Sequence, residues 1–154
     1  MTKCAQCMAS IFLTFLPILS IFLVGYYFPP SKTEYKPVFQ PPSFVFSIVW
    51  TYVTIALGCI TVSALLQKNK PISSILVFYF LLVLTLNGWL VLNYFHYYKE
   101  SFYLLLVTSF IAIVYQFYLG YLKIPYSFLL LPLPFWLVLA TALNGSNYDY
   151  YAQR

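Results

Sequence analysis

The chain has 154 residues, of which 62% are apolar, 22% are aromatic and only 7% are charged, with a net charge of +5. A soluble domain carries about a quarter charged residues, so this composition excludes an ordinary water-soluble globule. Apolar runs of about 20 residues recur, and a helix of that length spans the hydrocarbon core of a bilayer. Backbone groups inside the bilayer must be paired within their own segment, so the runs predict helices. We therefore expect an all-α integral membrane bundle of five transmembrane helices, forming a single domain over residues 1–154.

The first predicted span covers residues 9–28. It is longer than the apolar core of a secretory signal, which has about 7–15 residues, and no small-residue cleavage site follows it, so we expect a retained helix. The loop 29–43 comes next and is stiffened by five prolines, which are Pro29, Pro30, Pro37, Pro41 and Pro42. Connections between helices usually have about 2–8 residues, and longer ordered loops often cover binding sites. We therefore predict that loop 29–43 is the lid of a pocket.

The other predicted spans cover residues 44–66, 72–95, 101–122 and 125–143. Lysines and Pro71 separate the second span from the third, and a polar tail is expected from Asn144 onward. The turn between the last two spans is short, so these helices should form an antiparallel hairpin.

No Asp, Glu, Lys, Arg or His falls within the predicted spans. Pumps and proton-driven carriers usually need intramembrane charges, and acid–base catalysis needs a titratable group near the reacting atom. The pattern therefore disfavours both classes. The modest positive charge indicates lipid headgroups as partners rather than nucleic acid. Cys4 and Cys7 have no second pair or nearby histidine that would complete a zinc site, so no metal site is expected.

Alternation of the spans predicts where the polar and aromatic residues meet. We call side B the face of the bundle opposite the N-terminus. The loop 29–43 should lie on side B, and the residues expected in the same half of the bundle are Trp50, Asn87, Phe102, Leu143 and Asn144. This arrangement predicts an aromatic-lined pocket between the helices, beneath the loop. The alternative is that these residues serve helix packing alone, because amides and small residues hold membrane helices together.

Three motifs point to a family. The first comprises Lys36-Pro37, Phe39, Pro41-Pro42, Phe44, Phe46, Val49-Trp50-Thr51 and Gly58. The second is Leu86-Asn87 followed by Tyr94-Phe95, and the third is Pro132, Trp136, Ala140-Thr141 and Leu143-Asn144. Together they resemble the TspO/translocator protein family, also called tryptophan-rich sensory proteins or peripheral benzodiazepine receptors. The chain departs from the family pattern at Thr54 and Leu57, and Trp89 lies one position before the expected third-helix tryptophan.

The resemblance implies a five-helix bundle, a homodimer, that binds porphyrins, haem-related tetrapyrroles or sterols between its helices. It implies a sensor or regulator of tetrapyrrole or lipid metabolism or of stress, with no required cofactor. Two alternatives stay open, a porphyrin-degrading enzyme using Trp50 or Trp136 and a passive porphyrin or lipid transporter. The uncharged spans favour binding over catalysis. The expected location is the mitochondrial outer or another intracellular membrane in a eukaryote, or the cell envelope membrane in a bacterium.

The resemblance also indicates which residues bind the ligand. The expected ligand-binding residues are Lys36, Phe44, Trp50, Asn87, Phe102, Trp136, Ala140 and Leu143. Aromatic walls suit a flat conjugated ring because they stack on its face. Lys36 is expected at the mouth of the pocket, where it would meet a propionate group.

Overall fold

The computed structural model describes residues 3–29 and 36–153, and this part of the chain is all-α. The helices are α1 (Lys3–Tyr27), α2 (Ser43–Leu65), α3 (Ile72–Tyr94), α4 (Tyr98–Tyr121) and α5 (Pro132–Ala152). A 3₁₀ helix at Ser127–Leu130 leads into α5. Five segments of the described chain are long and apolar enough to cross a membrane. The predicted fold class, an all-α bundle of membrane-spanning helices, is confirmed.

The last helix differs most from its predicted bounds of 125–143. Tyr126 adopts a left-handed backbone conformation with φ 59°, so the chain turns before α5 begins at Pro132. At the other end, α5 continues to Ala152 and includes the segment expected as a polar tail. Tyr148 stacks on Phe102 of α4 with ring centroids 6.4 Å apart, and Tyr151 stacks on Tyr98 at 4.7 Å. These contacts hold the polar end of α5 against α4, which explains why it stays helical.

A proline shapes the first helix. Pro17 lies inside α1 and has no N–H, so the carbonyl of Leu13, four residues earlier, lacks its usual helical donor. The hydroxyl of Tyr79 on α3 donates a hydrogen bond to that carbonyl. Neighbouring helices often pair the backbone groups that a proline frees inside a membrane. Tyr79 therefore both pairs the carbonyl that Pro17 leaves without a donor and holds α1 against α3.

α2 approaches α1 very closely at Gly58. A Cβ at this position would lie 2.0 Å from the carbonyl oxygen of Thr14, which is backbone of α1. Small residues at membrane helix interfaces allow this kind of approach. Glycine at position 58 therefore sets the distance between α1 and α2.

The helices form a ring in which contacts run from α1 to α2, α5, α4, α3 and back to α1, with α2 also touching α3. The fully buried side chains at its centre include Leu57, Ile75 and Tyr115. The hydroxyl groups of Tyr115 and Thr61 are 2.9 Å apart and join α4 to α2. Interhelical hydrogen bonds and close packing replace the hydrophobic driving force that is missing between helices in lipid.

Candidate ligand-binding cavity

A cavity of about 740 Å³ lies in the side B half of the bundle. Its walls come from α1, α2, α3 and α5, because alternating helices bring the end of α1, the start of α2 and the ends of α3 and α5 to one side. The lining residues are Ile18, Ile21, Phe22, Gly25, Tyr26, Pro37, Gln40, Ser43, Phe46, Ser47, Trp50, Thr51, Thr54, Leu86, Trp89, Leu90, Asn93, Ala140, Leu143, Asn144 and Asn147.

The described end of the α1–α2 loop borders this cavity. Pro37 is buried, and both Pro37 and Gln40 line the space. The backbone N–H of Gln40 donates to the Pro37 carbonyl at 2.9 Å, which closes a tight turn. Residues 30–35 of the predicted lid, including Lys32 and Glu34, lie outside the described residues. The role of the loop as a lid stays a prediction.

Tryptophans form one wall of the cavity. The rings of Trp50 and Trp89 stack with centroids 5.6 Å apart and an interplanar angle of 24°. Trp136 packs behind them, edge-on to Trp50 at 6.3 Å and to Phe46 at 5.1 Å. The three tryptophans of the chain therefore make a continuous aromatic group, of which Trp50 and Trp89 line the cavity.

Four hydrogen-bonded side chains lie at one part of the wall, and we call them the amide cluster. They are Trp89, Asn93, Ser101 and Asn144, of which all but Ser101 line the cavity. Asn144 Oδ1 accepts hydrogen bonds from Trp89 Nε1 at 3.2 Å, Asn93 Nδ2 at 3.1 Å and Ser101 Oγ at 3.1 Å. Asn93 Nδ2 also donates to Ser101 Oγ at 2.8 Å. Asn144 Nδ2 donates to the Ala140 carbonyl at 2.9 Å. The cluster joins α3, α4 and α5, and its amides are more than nine-tenths buried.

The described lining contains no ionisable residue of the Lys, Arg, Asp, Glu or His types. It also contains no His, Cys or Met, so among the side chains that ligate a haem iron only the Tyr26 phenol lies in the described wall. His96 is exposed, and its Nδ1 lies 2.8 Å from the Tyr98 hydroxyl. The described wall can therefore hold a flat ring by stacking and dispersion, with hydrogen bonds only from neutral groups.

Three of the residues expected to bind the ligand line the cavity, namely Trp50, Ala140 and Leu143. Trp136 is buried behind Trp50, and no described atom pairs with its Nε1. Asn87 faces α1, where its Nδ2 donates to Ser20 Oγ at 3.0 Å, and the same atom donates to the Val83 carbonyl of its own helix at 2.7 Å. Neither side chain lines the cavity.

The other expected residues also lie outside the lining. Phe102 packs against Gly145, where an added Cβ would lie 3.1 Å from the Phe102 ring. Phe44 is 64% exposed on the outer surface of α2. Lys36 is exposed beside Pro37. Direct ligand binding by Lys36, Phe44, Asn87, Phe102 and Trp136 stays a prediction.

Several lining residues were missed by the sequence reasoning. Leu86, Trp89, Leu90 and Asn93 have the spacing of one helical face, so this face could have been found from Leu86 and a helical period. The residues of α1, such as Phe22, belong to a uniformly apolar segment. No periodic signal marks the cavity-facing side of such a segment.

The helices and the cavity together define a multi-pass integral membrane protein with a neutral, aromatic-walled space between its helices. No curated protein matches the chain. The family model of the TspO/MBR family matches residues 12–148, and the chain belongs to that family. Membership indicates a membrane role related to tetrapyrroles or sterols. The suspected family and the multi-pass membrane location are thus confirmed.

Proposed function

We propose that the protein is a membrane-embedded binding protein for tetrapyrroles or sterols and acts as a sensor or regulator rather than as a pump. The observation that carries the proposal is the neutral, aromatic-walled cavity of about 740 Å³ beside the described end of the α1–α2 loop. Cavities of roughly 300–1,000 Å³ with apolar walls and a few convergent polar groups are typical of small-molecule sites. The stacked pair Trp50 and Trp89 offers an aromatic surface to a flat ring system.

Titration of the purified protein with metal-free protoporphyrin tests this proposal. Trp50 and Trp89 line the cavity, so a bound ring should quench tryptophan fluorescence in a saturable manner. A parallel titration with a fluorescent sterol tests the other ligand class. If neither ligand shows saturable binding, the proposal is wrong.

Replacement of Trp50 locates the binding site. We expect Trp50→Leu to weaken protoporphyrin binding about fivefold, since an aromatic contact is worth about 1 kcal/mol. Binding to this variant is followed by porphyrin absorbance, because the substitution changes the protein fluorescence. The matched control is Phe117→Leu, which removes an aromatic ring that is 77% exposed on α4. Equal binding by both variants would contradict a site at Trp50.

The contact between Trp50 and Trp136 favours a second candidate, a porphyrin-degrading enzyme. Their rings are 6.3 Å apart, and Trp136 Nε1 is buried without a described partner. In this candidate function, Trp50 or Trp136 takes part in redox or light-driven chemistry on a bound porphyrin. If the protein is such an enzyme, loss of protoporphyrin absorbance should exceed that of a protein-free control and should fall in Trp50→Phe and Trp136→Phe. Saturable binding without any loss of porphyrin would reject the enzyme and support the binding function.

A further inference from the structure

The hydrogen bonds of the amide cluster determine the orientation of its two amides. Asn144 Oδ1 receives three donors, so exchange of its oxygen and nitrogen would point an N–H group at other N–H groups. Exchange at Asn93 would place its oxygen against Asn144 Oδ1, about 3.1 Å away, where two acceptors repel. The network therefore requires Asn93 to direct its Nδ2 toward Ser101 and Asn144.

In this orientation the side-chain oxygen of Asn93 receives no hydrogen bond from the cluster. Asn93 Nδ2 donates to both Ser101 Oγ and Asn144 Oδ1. Within the described chain, Asn93 Oδ1 has no hydrogen-bond partner, and it is not among the side-chain atoms sealed from accessible space. Asn93 is buried at 8% exposure and lines the cavity. Its Oδ1 is therefore an unused acceptor in the wall of the ligand site.

The chemistry of the cavity limits what this acceptor can bind. An amide oxygen pairs with an O–H or N–H donor and repels a carboxylate or sulfate oxygen. None of the described lining residues carries a charge that would offset such repulsion. Burying a charged group without a partner costs far more than burying a hydrogen-bonded neutral group. A ligand group beside Asn93 must therefore be an uncharged donor.

The position of Asn93 also predicts how a ligand is oriented in the cavity. It lies in the last turn of α3, near side B, whereas Leu86 and Thr54 line the cavity closer to the bilayer centre. A polycyclic ligand would direct its polar end toward side B and its apolar body toward Leu86.

We propose that Asn93 is a specificity-determining residue, which accepts a hydrogen bond from an uncharged hydroxyl or N–H group of a flat apolar ligand. The proposal rests on the proposed ligand-binding function and narrows its ligand class. Asn93 should therefore favour a ligand whose polar end carries a neutral hydrogen-bond donor over one whose polar end carries a neutral acceptor or an anion.

Three probes with one ring skeleton test the proposal, a 3β-hydroxysterol, the corresponding 3-ketone and the sterol sulfate. We expect the wild-type protein to bind the hydroxysterol about tenfold more tightly than the ketone, because the ketone cannot donate and leaves Asn93 Oδ1 unpaired. The sulfate should bind more weakly still. Affinities are measured in detergent micelles by competition with a fluorescent sterol. Equal or tighter binding of the ketone or the sulfate would overturn the proposal.

Variants assign the preference to Asn93. In Asn93→Leu the ratio of hydroxysterol to ketone affinity should fall to about one, whereas Thr85→Val, on the same helix but outside the cavity, should keep the wild-type ratio. If Asn93→Leu does not fold, Asn93→Ala serves instead, and the wild-type ratio alone still tests the acceptor. A ratio that survives loss of the amide would show that Asn93 does not set it.

If the wild-type protein binds the fluorescent sterol without discriminating between the hydroxysterol and the ketone, this inference fails while the proposed function stands. Absence of any saturable sterol or porphyrin binding rejects the function itself.

Discussion

Pro17 and Tyr79 show how a residue of one helix can pair a backbone group that a proline in another helix leaves without a hydrogen-bond partner. Pro17 leaves the Leu13 carbonyl without a helical donor, and the Tyr79 hydroxyl donates to it across the α1–α3 interface. An unpaired carbonyl in the bilayer is costly because lipid offers no donor. The contribution of Tyr79 to stability should therefore depend on Pro17.

A double-mutant cycle tests this dependence. Tyr79→Phe removes the donor and should destabilise the protein by about 1 kcal/mol. Pro17→Ala supplies a backbone N–H to Leu13, so in that background the cost of Tyr79→Phe should be clearly smaller. Unfolding is followed in detergent by circular dichroism. Tyr115→Phe, which loses its bond to Thr61 instead, is the matched control and should cost the same in both backgrounds. Equal costs of Tyr79→Phe in both backgrounds would refute the coupling.

At the scale of the helices, the contact between α1 and α2 leaves no room for a side chain at position 58. A Cβ on Gly58 would meet the Thr14 backbone at 2.0 Å, so α1 would have to move as a whole. α1 also contributes a wall of the cavity, through residues such as Ile18 and Phe22. The helix interface and the shape of the cavity are therefore linked through one glycine.

Gly58→Ala should lower stability by about 1–3 kcal/mol through overpacking and should also weaken ligand binding. The matched control is Gly120→Ala on α4, where nothing lies within 4 Å of an added Cβ. Alanine is a better helix former than glycine, so the control should be neutral or slightly more stable. The thermal midpoints of both variants are compared in the same detergent. Similar effects of the two substitutions would argue against close packing at Gly58.

At the scale of the whole molecule, the alternating helices bring the cavity, the loop end and the polar end of α5 to side B. This arrangement requires that each helix cross the bilayer. The exposed lysines Lys68, Lys99 and Lys123 lie outside or at the ends of the helices and report on the crossings. One crossing, by α3, separates Lys68 from Lys99, and a second, by α4, returns the chain to the side of Lys68.

Labelling in sealed vesicles of uniform orientation tests this topology. In a background with Cys4, Cys7 and Cys59 replaced by serine, a cysteine is introduced at one of the three lysine positions. We expect Lys68→Cys and Lys123→Cys to react alike with a membrane-impermeant maleimide and Lys99→Cys to differ from both. If the first two react in intact vesicles, Lys99→Cys should react only after permeabilisation, and the reverse holds in vesicles of the other orientation. Reaction of all three from one side would contradict the crossing of α3.

The number of helices and the half of the bundle that holds the cavity could be predicted from the sequence. Apolar runs of spanning length are a strong signal because the bilayer requires about 20 residues per helix. Alternation then assigns each helix end to a side without any knowledge of packing. Trp50 and Asn144 were placed in the correct half by this reasoning, and both line the cavity.

The face that each helix turns toward the cavity was decided only by the tertiary structure. On α3, Asn87 turns toward Ser20 of α1, whereas Trp89 and Asn93 turn toward the ligand site. Successive residues of a helix are separated by about 100°, so a shift of two positions exchanges one neighbour for another. In a soluble helix the polar face would mark the outside, but lipid and protein core are both apolar. The sequence by itself therefore determined the number of spans and the level of the site, and contacts between helices decided which side chains form its wall.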